Sequence, residues 1–366
     1  MEMKTYLVGG AVRDMIMGID PKDKDYVVIG STPELMLSSG YTQVGADFPV
    51  FLHPETNEEY ALARTERKNG KGYTGFAVDF SQNVTLEEDL ARRDLTMNAI
   101  AIPIDNTKEI IDPFDGKKDV EDKILRHTSP AFAEDPVRIL RVARFAARYK
   151  FSVAPETMAF MKYMVINGDM KDLTAERVWK EFEKGLMEQN PEIMLSTLIE
   201  CNAHKDLPLF FCKNNIAGSM EALTDAVNAN MPLEARFALI ATNFRTEQEY
   251  VDARIPSDCK ELSKMINNEA SSVFKYFELT VAERLQLFNR CDLFRKRERF
   301  ELMIKTLVHV GNRCGLKRYD VPVHKIKFDI HKAVGVDAGT IALSLEDKSK
   351  IKDTIFAARV KAMSEE

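Results

Sequence analysis

The chain is short of three things: long apolar runs, cysteine pairs and flexible linkers. No uncharged stretch approaches the ~18 residues that a membrane helix needs. Met1 to Gly10 carry an early charge and a glycine pair where a signal peptide would have its apolar core. A soluble, non-exported, cytoplasmic protein without a membrane partner is therefore expected. The five cysteines, Cys201, Cys212, Cys259, Cys291 and Cys314, form no CxxC pair and leave one over, which speaks against a disulfide framework. Internal repeats, low-complexity segments and linkers rich in Pro, Gly or Ser are missing as well, so composition marks no loose boundary. What is present is ordinary for a globular protein, with 45% hydrophobic and 30% charged residues over 366 positions, and that length is a prior for about two or three domains. A net charge of −6 does not exclude nucleic-acid binding, because phosphates are met by local patches and not by the chain average.

The first hundred residues read as short mixed elements. Strands are predicted over 4–8, 25–29, 50–53, 59–63 and 76–80, a helix over 11–17, and a polar connection over 64–75. That pattern predicts an α+β head built on a mixed β-sheet. From about Ser129 the pattern changes to long amphipathic runs over 135–149, 174–188, 191–201, 232–242 and 280–310, so the rest should be nearly all helix.

Two apparent motifs are decoys. Gly70-Lys71-Gly72-Tyr73-Thr74-Gly75 spells G-x-G-x-x-G, but a dinucleotide turn needs a strand before it and a helix after it. Here a polar stretch precedes and a strand follows, so a mobile basic loop is the better reading. Cys201, His204 and Cys212 have partial metal-ligand spacing without a fourth ligand, and a buried helix-end cysteine is expected instead.

Three constellations carry chemistry. The sharpest is Gly9-Gly10-Ala11-Val12-Arg13-Asp14, followed by Asp23-Lys24-Asp25 opening a strand. Residues i and i+2 on a strand share a face, so Asp23 and Asp25 can present two hard oxygen ligands that suit Mg²⁺. Gly9 and Gly10 let backbone N–H groups approach a triphosphate, and Arg13 offers a forked donor. Together these describe a metal-dependent phosphoryl-transfer site, against the bland alternative of turn residues beside Pro21. The second is Arg93-Asp94-Leu95-Thr96-Met97-Asn98. On a helix Asp94 and Asn98 would share a face and reach sugar hydroxyls, with Arg93 alongside for phosphate, although the segment alone does not differ from a solvated helix start. The third is Glu134-Asp135-Pro136-Val137-Arg138, where Pro136 suits the first helical position and Asp135 the cap. Arg138, Arg141, Arg144 and Arg148 then fall along one side of the helix, with no acidic residue between Arg138 and Tyr149. An unpaired guanidinium row repels itself, and a polyanion or triphosphate would relieve it.

With these motifs in this order, residues 4–205 resemble the tRNA nucleotidyltransferases, the CCA-adding enzymes of bacterial class II in the DNA polymerase β superfamily. The resemblance implies a nucleotidyltransferase head over 1–128, a helical neck recognising the nucleotide over 129–204, and a helical body and tail holding tRNA over 205–366. It implies Asp23 and Asp25 as metal-binding carboxylates, with Glu59 as the candidate third catalytic carboxylate. Gly9, Gly10, Arg13 and Arg93 correspond to nucleotide contacts, and Asp94, with Asn98 beside it, to the ribose contact. Asp135, Arg138, Arg141 and Arg144 correspond to the motif that recognises base and triphosphate. CTP, ATP and tRNA are the implied partners and Mg²⁺ the implied cofactor. The loop 67–75 resembles the flexible loop associated with switching from C to A addition. The segment 45–50 lacks the basic run of poly(A) polymerases, which are the nearest rival; a non-catalytic RNA-binding protein is the more distant one, and two adjacent carboxylates argue against it. One departure is clear. Longer relatives carry a His-Asp dipeptide of a phosphohydrolase domain shortly after a segment like Arg236-Phe237-Ala238, and no His-Asp occurs anywhere in this chain. No phosphohydrolase activity is expected. Between Arg295 and Lys327 ten Lys or Arg stand against three acids, which makes that segment the candidate tRNA surface.

Overall fold

A computed structural model describes residues 3–44, 50–68, 76–207, 216–241, 244, 246–314 and 320–365. It divides into two compact units, Met1–Leu207 and Pro208–Glu366.

The first unit opens with a mixed sheet. Strands β1 (Lys4–Val8), β2 (Asp25–Ile29), β3 (Thr42–Val44), β4 (Val50–Leu52), β5 (Glu59–Leu62) and β8 (Ala101–Pro103) are ordered β3-β4-β5-β2-β1-β8, while β6 (Thr65–Lys68) and β7 (Phe76–Asp79) pair separately. The alternation of side chains explains why both faces are buried. Tyr6, Val8 and Val27 join Leu90 and Ala99 on one side, and Leu7 joins Val12, Ile100 and Ile102 on the other. Register then fixes one sheet end. β1 runs antiparallel to β2 with Val8 opposite Asp25, and β5 runs parallel to β2 with Glu59 beside Asp25.

Helices α1 (Gly10–Ile16), α2 (Pro33–Ser38), α3 (Leu86–Ala91) and α4 (Gly116–Glu121) alternate with the strands; α1 packs on β1, and α4 packs on α1 and on the turn at 96–98. Thr85 and Glu88 form a reciprocal capping box that starts α3. A short parallel pair, β9 (Ile124–Leu125) with β10 (Ser152–Val153), brackets α5 (Val137–Tyr149), and α6 (Pro155–Asn167), α7 (Ala175–Leu186) and α8 (Pro191–Glu200) follow. α5 packs on α7 and α8 and buries Ile139, Leu140, Val142, Ala143, Ala146 and Ala147. Each buried Ile, Leu or Val there contributes about 1.5–3 kcal/mol.

The second unit is helical among its described residues: α9 (Ile216–Asn228), α10 (Leu233–Ile240), α11 (Glu247–Asp252), α12 (Ser257–Phe274), α13 (Val281–Arg290), α14 (Arg297–Cys314), α15 (Val323–Val334), α16 (Ala338–Ser344) and α17 (Ile351–Ser364). Tyr276, Phe288, Phe300 and Met303 sit in its apolar core. Buried Asp329 accepts from the Tyr276 hydroxyl at 2.8 Å and from Lys325 Nζ at 2.6 Å. No described helix is long and apolar enough to cross a membrane.

The α+β head followed by helices agrees with the sequence pattern, and several details do not. The run predicted over 280–310 is two helices, α13 and α14, broken at residues 291–296. Asp292 adopts φ +53°, the Leu293 N–H donates to Phe288 O, and the buried Leu293 side chain anchors the break. Neither glycine nor proline marks it in the sequence. The polar connection predicted over 64–75 contains β6, paired through Thr65 with Asp79, while 69–75, including the G-x-G-x-x-G decoy, and the segment 45–49 lie outside the described residues. Cys201 is buried, as expected for a helix-end cysteine; burial pushes its thiol up to about 11.

Candidate active site

The site is assembled at the end of the sheet where β1 delivers its glycines. Gly9 caps α1 with φ +70°, a conformation that costs glycine little. A Cβ on Gly9 would lie 3.1 Å from Arg93 Nη1, and one on Gly10 would lie 3.3 Å from Arg13 Nη2. Both glycines therefore bring backbone close to a guanidinium. Asp25 begins β2 directly opposite Val8, whereas Asp23 lies in a bend just before the strand. The two carboxylates do not form the i, i+2 pair of one strand that the sequence predicts, because Asp23 stands in a bend and strand pairing begins only at Asp25. They are still close enough to interact. Loss of hydration pushes the Asp25 carboxyl up, Arg93 pulls it down and Asp23 pushes it up again.

Behind the glycines runs a chain of polar contacts. Buried Arg13 donates through Nη1 to Asn98 Oδ1 at 2.7 Å and through Nε and Nη2 to Asp14 Oδ1, and it stacks over Phe145 and Tyr149 of α5. Asn98 Nδ2 donates to Asp94 Oδ1 at 2.9 Å, and Arg141 Nε donates to Asp94 Oδ2 at 2.7 Å. Burial alone would raise the Asp94 pKa, but Arg141, Asn98 and Arg138 hold it down at about 2. Arg144 Nε in turn donates to buried Glu181 of α7 at 2.6 Å. Asp89 holds Arg92 and Arg93, whose guanidiniums keep its buried carboxyl below the ordinary range.

Two sequence expectations are corrected here. Asp94 and Asn98 do not share a helix: α3 ends at Ala91, Leu95 is extended, and only Thr96–Asn98 make a 3-10 turn. The turn nevertheless folds Asn98 back onto Asp94. The arginine row of α5 is likewise not unpaired. Arg138 donates to the carbonyls of Ala131 and Arg92, both at 2.7 Å, Arg141 meets Asp94, and Arg144 meets Glu181. The missing acids come from other elements, which the composition of α5 alone does not reveal. Asp135 caps α5 as the sequence predicts: its own backbone is extended, Pro136 after it is already helical, and its side chain accepts from the first turn. Its Oδ1 accepts from Val137 N, and its Oδ2 accepts from Arg177 at 2.7 Å.

These groups face one cleft of about 920 Å³. Of the predicted residues all but three line it. Arg144 lies behind the wall on Glu181, while Asp23 and Glu59 sit at the same sheet end outside the lining. The sequence reading missed one wall entirely. Thr174, Arg177, Lys180, Glu181 and Lys184 of the α7 region face the cleft, at the i, i+3, i+4 and i+7 spacing that marks one helix face. That spacing is visible in the sequence, but nothing local says that this face is turned toward α5.

Among the described residues no group of three or more His, Cys, Asp or Glu gathers as a metal cage. Asp25 with Asp23 is instead a two-carboxylate, hard-oxygen set whose mutual repulsion a cation would offset. That fits a divalent ion completed by substrate phosphates.

The chain is similar to known proteins of one kind. Residues 5–126 match the family described as Poly A polymerase head domain, and residues 150–211 match that described as Probable RNA and SrmB- binding site of polymerase A. A Multifunctional CCA protein of Chromobacterium violaceum is 44% identical over 398 residues, spanning 98% of this chain and 97% of its own. A CCA-adding enzyme of Pseudomonas putida is 45% identical over 319 residues, spanning 86% of this chain and 85% of its own. The solved apo form II of a CCA-adding enzyme superposes with a TM-score of 0.74 at 21% identity, over 100% of this chain and 88% of that one, a likeness of fold.

Proposed function

The chain belongs to the family of bacterial CCA-adding tRNA nucleotidyltransferases, and we propose that the cleft between the sheet end, α5 and α7 is where its nucleotide is bound and joined to tRNA. The protein adds and repairs the 3′-terminal CCA of tRNA from CTP and ATP, without a nucleic-acid template, and releases pyrophosphate. The observation that carries the site assignment is the order of groups along α5. Asp135 and Arg138 stand at its start, the Asp94–Arg141 pair follows, and Arg13, beside Gly10 of the glycine turn, stacks over Phe145.

On this reading the base lies at Asp135 and Arg138. Each Asp135 oxygen accepts one hydrogen bond and retains a lone pair. Cytosine and adenine share an exocyclic amino donor beside a ring-nitrogen acceptor, whereas uracil and guanine present a carbonyl and an N–H there, so an acidic acceptor with an Arg donor favours the first pair. The ribose lies at Asp94, and the phosphates at Gly9, Gly10 and Arg93. Arg13 acts from behind, fixing Asn98 and thereby Asp94. Arg144 does the same through Glu181.

The tRNA 3′-oxygen attacks the α-phosphorus in line; its bond to phosphorus forms, the bond to the bridging oxygen breaks, and pyrophosphate leaves. A divalent metal, which we take to be Mg²⁺, would be held by Asp23 and Asp25 and would supply charge stabilisation to the hydroxyl and the phosphates. Glu59, level with Asp25 on the neighbouring strand, is the proposed third carboxylate. The head, neck and tRNA-holding portions are assigned to 1–128, 129–204 and 205–366. A cytoplasmic location goes with this reading because that is where tRNA and nucleoside triphosphates meet. Phosphohydrolysis is left out of the function, since the chain has no His-Asp dipeptide.

The test is to incubate the protein with tRNAs ending before, within and after CCA, offering each labelled nucleotide, and to sequence the products. C, C and A added in order, and nothing beyond, is the expected result. A-tails of indefinite length would instead support a poly(A) polymerase. Asp135→Ala and Arg138→Ala should each erode the preference for C and A over U and G by about tenfold or more. If that preference survives both substitutions, selection lies elsewhere.

A further inference from the structure

The cleft is lined by eight cationic side chains and four carboxylates. Its arginines are already committed within the protein: Arg13 to Asp14 and Asn98, Arg92 and Arg93 to Asp89, Arg138 to two carbonyls, Arg141 to Asp94, and Arg177 to Asp135. Lys180 and Lys184 differ. Both are exposed, both line the cleft, and neither has an ion-pair partner among the described residues. They are one turn apart on α7, so their ammonium groups reach into the same part of the cleft.

Their position along the cleft follows from ion pairs between the two helices. Arg177 meets Asp135 before the start of α5, Glu181 meets Arg144 further along it, and Glu188 lies 3.8 Å from Arg144 beyond that. α7 therefore runs beside α5 in the same direction. At about 1.5 Å per residue, Lys180 is about 5 Å and Lys184 about 10 Å past Arg177, moving away from the Asp135 end and toward the end where Arg13, which lies beside Gly10, stacks over Phe145. A nucleotide with its base at Asp135 would carry its phosphates in that direction.

We propose that Lys180 and Lys184 are the mobile counter-charges for the β- and γ-phosphates of the incoming nucleotide, and for the pyrophosphate that leaves. The assignment rests on the reading of the cleft as the nucleotide site. Two lysines suit this task because an ammonium on a four-carbon stem is a point charge that can follow the phosphates, whereas paired arginines hold fixed positions. Without a protein partner they lose no internal ion pair on meeting the ligand. Contact with the tRNA backbone is the alternative use of such lysines, but they line the same cleft as the glycine turn.

The experiment titrates CTP, CMP and pyrophosphate, each with Mg²⁺ and without acceptor, into wild type, Lys180→Gln, Lys184→Gln and the corresponding Lys→Arg variants. tRNA affinity is measured in parallel. Each Gln substitution should weaken CTP and pyrophosphate about threefold to tenfold, leave CMP and tRNA within about twofold, and be largely rescued by Arg. Equal loss for CTP and CMP, or a loss confined to tRNA, would overturn the assignment, as would no change in any ligand. Asp135→Ala separates this failure from failure of the site reading. If that variant weakens CTP and CMP alike while the lysine variants are silent, only the lysine assignment falls. If wild type binds no CTP, or Asp135→Ala is also silent, the nucleotide site itself is misplaced.

Discussion

Replacing Asp94 with Asn isolates the charge at the centre of the cleft wall with little change of shape. The wild-type carboxylate is buried, which raises its pKa, but Arg141, Asn98 and the nearby charge of Arg138 outweigh burial to hold it at about 2, below the ordinary 3.8. A difference approaching two pKa units corresponds to about 2–3 kcal/mol of stability. The sign follows from the depression. The contribution is fully present above the unfolded value and is lost as pH falls through the folded one, so it should be constant from about pH 7 to 5 and shrink between about pH 4 and 2. The protein carries its own probe. Trp179 is the single tryptophan, is buried, and lies on α7, so its fluorescence reports the first unit. At a urea dependence of about 2 kcal/mol per molar, Asp94→Asn should lower the Trp179 midpoint by about 1 M near neutral pH. The gap from wild type should close toward about pH 2. A midpoint within about 0.2 M of wild type at neutral pH, or a gap that stays constant down to about pH 2.5, would refute the idea that the charge is held by its partners.

Asp23→Asn and Asp25→Asn should each abolish nucleotide addition while leaving the Trp179 urea midpoint and tRNA affinity near wild type, because these groups serve a metal and not the core; turnover near wild type in either variant removes the metal role. Gly116→Ala should cost about 1–3 kcal/mol and raise the nucleotide KM, since a Cβ there would overlap the Thr96 carbonyl and displace the turn that presents Asn98; unchanged stability and KM would show that the turn is not so constrained. Purified protein with added divalent metals should not hydrolyse 2′,3′-cyclic nucleotides or phosphate monoesters, and hydrolysis that co-purifies with it through successive columns would show a site that the missing His-Asp pair does not predict.

The sequence by itself determined a good deal. The glycine turn and the arginine helix were legible because each depends on local properties: a turn needing positive φ at Gly9, and a spacing of three or four residues along α5. Local rules stopped where partners are distant in the chain. The arginines of α5 look unpaired within their own segment, yet Arg141 meets Asp94, 47 residues earlier, and Arg144 meets Glu181, 37 residues later. Arg13 and Asn98 are 85 residues apart. Asp94 and Asn98 were expected to share a helix face; they are instead brought into direct contact by a 3-10 turn, because residues four apart can also meet in other compact conformations. The α7 wall shows the limit most plainly. Arg177, Lys180, Glu181 and Lys184 have the periodicity of one helix face, but periodicity gives a direction only relative to the helix's own axis. Packing Val178, Trp179, Phe182 and Leu186 into the core fixes the rotation of α7, and with it which charges reach the cleft. That choice is made by the summed burial of apolar groups from several elements, which no single segment encodes.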